Sequence, residues 1–118
     1  MILVLTSLIA IEHIGFMLIE MFSSKEVQSK AFDMPLSFLQ DSHAQTALAN
    51  QGIYNGMLGV TILLSNWIIP SVSIYPFMAL LMLFISVVGI YGSLTATKKI
   101  FFIQALPALV TLLIILFK

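Results

Sequence analysis

The sequence predicts an all-α integral membrane protein: a bundle of four transmembrane helices with one longer cytoplasmic loop that holds a short interfacial helix. Three observations predict it. Of 118 residues, 60% are hydrophobic and 8% charged, with a mean hydropathy of +1.10, whereas soluble domains are about 45–50% apolar and about 25% charged. The apolar residues fall into four runs, each near the roughly 20 residues that a hydrocarbon core of about 30 Å asks of a helix. No stretch alternates with period two, as a membrane β-strand would. The same composition excludes a disordered chain, a nucleic-acid binder and an ordinary cytosolic enzyme. Cysteine is absent, which excludes disulfides, thiolate metal sites and thiol catalysis.

Residues 1–118 read as a single membrane domain. The first span is 2–22, with no basic residue before it and no small-residue cleavage site after it, so it is not a secretory signal. Loop 23–42 is the one long hydrophilic stretch; Pro35 opens a short interfacial helix there, carrying Phe38 and Leu39. Ser42-His43-Ala44-Gln45 reads as a capping box that starts the second span, 43–69, and Pro70 ends it. Pro76 suits a first helical turn and opens the third span, 76–96. The fourth runs over 100–117.

Four spans put loops 23–42 and 97–99 on one side with Lys25, Lys30, Lys98 and Lys99, and leave Lys118 alone on the other. Cytoplasmic loops carry the excess of lysine, so both termini are expected outside the cytoplasm. Trp67 and Tyr75 then lie at the outer interface, where amphipathic rings favour the headgroup level.

The polar residues inside the spans are the informative ones. A carboxylate near the bilayer centre costs at least about 2.5 kcal/mol, so it faces the bundle interior and usually has a task. Glu12, His13 and Glu20 share one broad face of the first span, and they are the candidate acid/base residues. On the second span Asn50, Gln51, Tyr54 and Asn55 occupy one arc, and Gly52, Gly56 and Gly59 a neighbouring one. The first arc suits a ligand; the second suits close helix approach, as does Gly89 on the third span. Tyr91 and Gln104 complete the ligand-binding set, and Pro107 leaves the carbonyl of Ile103 without its helical donor. Measured in depth from the charged loops, these polar groups all lie in the same half of the membrane, which predicts a cavity open toward the cytoplasm. His13 and Glu20 are seven apart, not the three or four of helical metal ligands, so no metal is expected. No cofactor motif is present.

Ile11-Glu12-His13, Glu20-Met21-Phe22, the run Ala49-Asn50-Gln51-Gly52-x-Tyr54-Asn55-Gly56, Gly89-x-Tyr91-Gly92 and Gln104-Ala105-Leu106-Pro107-Ala108 together resemble a known signature. It is that of a small bacterial membrane family catalogued as domain of unknown function 1304. The likeness runs over nearly the whole chain and departs at Ala105, where the family more often has glycine. It implies a four-helix protein of a bacterial cytoplasmic membrane and supplies no activity.

The leading expectation is therefore a membrane protein whose polar cavity binds a small or lipid-like ligand, with proton transfer as the chemistry if it is an enzyme. Two other classes stand beside it. One is a small proton-coupled transporter acting as a homodimer. The other is an accessory subunit docking a second membrane protein through Gly52 and Gly56. The lipid bilayer is the one partner common to all three.

Overall fold

A computed structural model describes all residues, Met1–Lys118. Every regular element in it is helical: α1 (Ile2–Phe22), α2 (Lys25–Phe32), α3 (Leu36–Leu39), α4 (Ser42–Ile68), α5 (Ser71–Thr95), a π-helical turn (Phe101–Ala105) and α6 (Leu106–Leu116). Two of them, α1 and α5, are long and apolar enough to cross a membrane.

The helix ends explain themselves by their caps. Asp41, not the Ser42–Gln45 box, starts α4: its Oδ1 accepts from the backbone N–H groups of His43 and Ala44 at 2.8 and 3.0 Å. Gln45 is engaged elsewhere, donating from Nε2 to Gln28 Oε1 and to the Leu39 carbonyl, each at 2.9 Å. The third long helix begins at Ser71 rather than near Pro76, which lies inside α5. Pro70 is the N-cap there, and proline removes a donor that the following first turn does not need. Pro76, the sixth residue of α5, lies past that turn and costs the helix the bond to the carbonyl of Val72, whose side chain is exposed.

Loop 23–42 is more ordered than its polarity suggests. Pro35 does precede the short helix α3, but α2 fills the first half of the segment. Ser24 caps α2 by accepting from Val27 N–H, and Asp33 ends it in the left-handed region at φ 54°. Gln28 holds α2 in place. It is 1% exposed, and its Nε2 donates to the carbonyls of Ile19 and Glu20, each at 3.2 Å. Both carbonyls belong to the last turn of α1, where helical donors run out; that of Ile19 also accepts from the C-cap Ser23 N–H.

The long helices pair as two hairpins. α1 lies along α4, and α5 lies along the π-turn and α6; α1 also touches α6, whereas α4 and α5 barely meet. Glycine makes the α1–α4 pairing close. A Cβ at Gly59 would lie 2.5 Å from the Ala10 carbonyl oxygen, one at Gly52 would lie 2.7 Å from Met21 Cγ, and one at Gly56 would run into Met17. On the other hairpin, a Cβ at Gly89 would sit 2.9 Å from the backbone nitrogen of Ala105. The core formed where the hairpins meet is apolar: Ile9 and Ala10 of α1, Ile62 of α4, Met78 and Met82 of α5, Ala108 of α6.

The charged loops at one end are tied to each other. Lys99 Nζ contacts Asp33 Oδ1 at 2.7 Å and donates to the Lys30 carbonyl at 2.9 Å, while Thr97 Oγ1 donates to Asp33 Oδ2. The hydrogen bond from Lys99, then that from Thr97, hold the Asp33 carboxyl below its ordinary pKa. At the other end Lys118 donates to the Tyr75 hydroxyl at 2.6 Å and lies over its ring. Elsewhere the surface is largely apolar; Val72, Leu94 and Phe117 are each at least 80% exposed.

Candidate functional site

The site begins at Glu20. In the last turn of α1 its side chain turns inward and is 2% exposed. A buried carboxyl needs partners, and α4 supplies two. Gln51 Nε2 donates to Oε1 at 3.0 Å and Asn55 Nδ2 donates to Oε2 at 2.9 Å. Gln51 and Asn55 are four apart, so one helical face brings both amides to one carboxyl. The close approach allowed by Gly52, between them, keeps those bonds short; its absent Cβ would lie 3.0 Å from Glu20 Cβ.

His13 lies two turns further along α1 and is fully buried. Its Nδ1 is 2.8 Å from the Ile9 carbonyl. A carbonyl only accepts, so Nδ1 carries the proton and Nε2 is free to accept. The donor to Nε2 is Gln104, whose Nε2 lies 3.3 Å away. Phe16 packs edge-on against the imidazole, with ring centroids 5.6 Å apart.

Gln104 sits in the π-turn, where Leu106 N–H bonds back five residues to the Phe101 carbonyl. Pro107 directly follows Leu106 and cannot supply the donor that a regular helix would give Ile103. A π-turn adds one residue to the turn and changes which way its side chains face. Such turns recur at functional sites.

The carboxyl and the imidazole thus stand behind amides that line one cavity. It measures about 600 Å³ and fills the gap between α4 and α5. Gln51, Asn55 and Gln104 supply its polar wall; Tyr54 and Tyr91 line it from α4 and α5 and are 73% and 69% exposed. Deeper along the helices Met57, Leu58, Phe84 and Val88 make the rest apolar.

Of the residues singled out in the sequence, five line this cavity: Gln51, Tyr54, Asn55, Tyr91 and Gln104. Asn50 is exposed outside it. Glu20 and His13 back its wall without hydrogen-bonding each other, since each is taken up by its own amide partners. Glu12 is separate: its Oε1 is buried and accepts from no group of the chain. Gly52, Gly56 and Gly59 lie against α1, and Gly89 against the π-turn. No group of three or more His, Asp or Glu residues converges as a metal site would. Gln28 and Gln45 are the functional-site neighbours that sequence reasoning passed over. Gln28 sits among polar residues of the segment 23–42 and Gln45 in the first turn of α4, and only the packing of α2 on α1 buries Gln28.

Residues 7–116 match the family model described as a protein of unknown function, DUF1304. The chain is similar to the uncharacterised protein YpaA of Lactococcus lactis subsp. lactis strain IL1403. The two are 36% identical over 112 residues, covering 94% of this chain and 92% of that one. No solved structure matches. On the extent of both matches, the chain belongs to the DUF1304 family.

Proposed function

We propose that the protein crosses a bacterial cytoplasmic membrane four times and binds a small or lipid-like molecule in the α4–α5 cavity. The four spans would be α1, α4, α5 and the π-turn with α6. At about 1.5 Å per residue, the 27 residues of α4 reach about 40 Å, ample for a hydrocarbon core of about 30 Å. The apolar side chains turned outward on every long helix support immersion, since soluble monomers rarely expose so much contiguous apolar surface. The lysine-rich end is taken as cytoplasmic by the positive-inside rule. A cysteine placed at Ser71 and labelled from outside intact cells supports this orientation; labelling only after permeabilisation reverses it.

One observation carries the binding reading. Three amides from two hairpins converge on one cavity, and two of them are held by a buried carboxyl that a purely structural helix pair has no need to accept. Interhelical polar bonds in membranes average only about 0.6 kcal/mol, a small return for burying an acid. The cavity wall is mostly apolar with a few converging polar groups, the usual make-up of a ligand site. The direct test is native mass spectrometry of protein extracted in mild detergent. A bound molecule is expected on the wild-type chain and on Leu8→Ala, whose side chain faces outward, and is expected to be lost from Gln51→Leu. Equal retention on all three overturns the reading.

Glu12 favours a second reading, a proton-coupled transporter. A buried carboxyl oxygen with no partner in the chain suits a group that exchanges a proton. Flux into proteoliposomes driven by a pH gradient, abolished by Glu12→Gln, would support it; no flux for any solute tested sets it aside. The accessory-subunit reading loses its surface, because α1 covers the Gly52–Gly56–Gly59 face.

A further inference from the structure

We infer that the ligand is a neutral, hydroxyl-bearing amphiphile with a single chain, its headgroup held by Gln51, Asn55 and Gln104. This rests on the cavity being the binding site, and it adds the chemical class. The amides have already spent some of their hydrogen-bonding atoms. Gln51 and Asn55 each give an N–H to Glu20, and Gln104 gives one to His13. The carboxyl and the unprotonated imidazole nitrogen are acceptors, so all three amides must turn their nitrogens to the wall. Each carbonyl oxygen is then left without a donor from the chain. Each amide nitrogen also keeps a second N–H, so acceptors and donors from two hairpins stand around the same space, and what they recognise is a group that both donates and accepts. Hydroxyls do so, and more than one is needed to reach oxygens on separate helices.

Charge narrows the class. None of the fourteen lining residues is Lys, Asp, Glu or His. A sulfate, phosphate or carboxylate entering there would meet only neutral groups, with the Glu20 carboxyl behind them and no cation to offset its lost hydration. A cationic head, whether quaternary or a protonated amine, would meet no carboxylate there, because both oxygens of Glu20 are already bonded and closed off from the cavity. The remaining class is uncharged.

Shape supplies the chain. The cavity follows α4 from Gln51 to Thr61, ten residues or about 15 Å of helix. Apart from Thr61, whose hydroxyl is spent on the Met57 carbonyl, its polar side chains lie at the end nearer the charged loops, and Met57, Leu58, Phe84 and Val88 line the end nearer the bilayer middle. A molecule lying along it places its head beside the amides and its chain among the apolar residues. The gap between α4 and α5 lets that chain enter sideways from the membrane.

Three probes with the same ten-carbon chain test the class: 1-O-decylglycerol, decyl sulfate and decyltrimethylammonium. The protein is held in nanodiscs of zwitterionic lipid, and binding is followed by ligand-observed NMR on wild type, Asn55→Leu and Val88→Trp, the last of which fills the apolar half. The glycerol ether is expected to bind wild type at least tenfold more tightly than either charged probe, a difference of about 1.4 kcal/mol. That binding should weaken at least tenfold in Val88→Trp and in Asn55→Leu. If a charged probe binds as tightly as the ether and is excluded by Val88→Trp, the class is wrong while the cavity stands. If Val88→Trp excludes none of the three although circular dichroism shows it folded, the cavity reading fails and the class falls with it. Should Val88→Trp fail to fold, Leu58→Trp takes its place in the same comparison.

Discussion

Exchanging glycine for alanine at two positions of the α1–α4 hairpin separates packing from helix propensity. At Gly15 an added methyl meets nothing within 4 Å. The substitution then gains only propensity, worth about 0.8–1 kcal/mol in a helix interior. At Gly59 the same methyl would lie 2.5 Å from the Ala10 carbonyl oxygen and 2.9 Å from Ile14 Cγ1. The first of these is backbone and cannot swing aside, so α1 must move away from α4. Overpacking of this kind costs about 1–3 kcal/mol, from which the propensity gain of about 1 kcal/mol is to be subtracted. Gly15→Ala is therefore expected to stabilise by about 0.5–1 kcal/mol and Gly59→Ala to destabilise by up to about 2 kcal/mol. Reversible unfolding of the purified protein in mixed detergent micelles, followed by circular dichroism, reads both. Equal stability of the two variants would refute the close α1–α4 pairing, because chemistry and secondary structure are the same at both sites.

Other expectations follow from the bonds described above. In a double-mutant cycle, Glu20→Ala and Asn55→Ala should couple by about 0.5–2 kcal/mol; additive effects would mean that the 2.9 Å contact contributes nothing. Asp41→Ala should cost about 1 kcal/mol by uncapping α4, and unchanged unfolding would return the cap to Ser42. Gly89→Ala should push the π-turn off α5 and weaken the Gln104–His13 bond, seen as a shift of the His13 Nε2 resonance in ¹⁵N NMR; an unmoved resonance counts against that coupling. For Asp33 the folded-state pKa is lowered, so its contribution to stability is present above the unfolded value near 3.9 and is lost as pH falls through the folded one. A carboxyl ¹³C titration should place Asp33 below the ordinary range and Lys99→Met should raise it. Titration of the wild type at the ordinary value would mean that the Lys99 contact is not kept in solution.

The first helix was legible because nothing interrupts it between Ile2 and Phe22. The glycine arc was legible for a related reason: Gly52, Gly56 and Gly59 recur at the helical spacing, and spacing is what a sequence records. Helix starts were harder to read. Asp41 and Ser42 are both good caps, and only backbone conformation chooses between them. Pro76 looks like a first-turn residue until Pro70 is seen to take the N-cap. The partners of His13 were not readable at all. Periodicity puts His13 on the same face as Glu20, but Gln104 is 91 positions away in the chain, and a π-turn sets its direction. Nor does any residue announce that α4 and α5 part. A cavity is a property of two helices failing to touch, and no residue's identity records it.

The two-hairpin arrangement has a bearing on how such a molecule could change its preferences. Because α4 and α5 are held apart rather than packed, the width of the opening is set by an angle. That angle is fixed at the spine where α1 meets α6 and at the short Ile69–Pro70 elbow. A bulkier or smaller residue on the spine would tilt one hairpin against the other, like the covers of a book moved at the binding. The opening would then admit a thicker or thinner guest while Gln51, Asn55 and Gln104 stayed as they are. Selectivity for size can drift in this way at positions that never meet the guest, leaving the chemistry of recognition untouched.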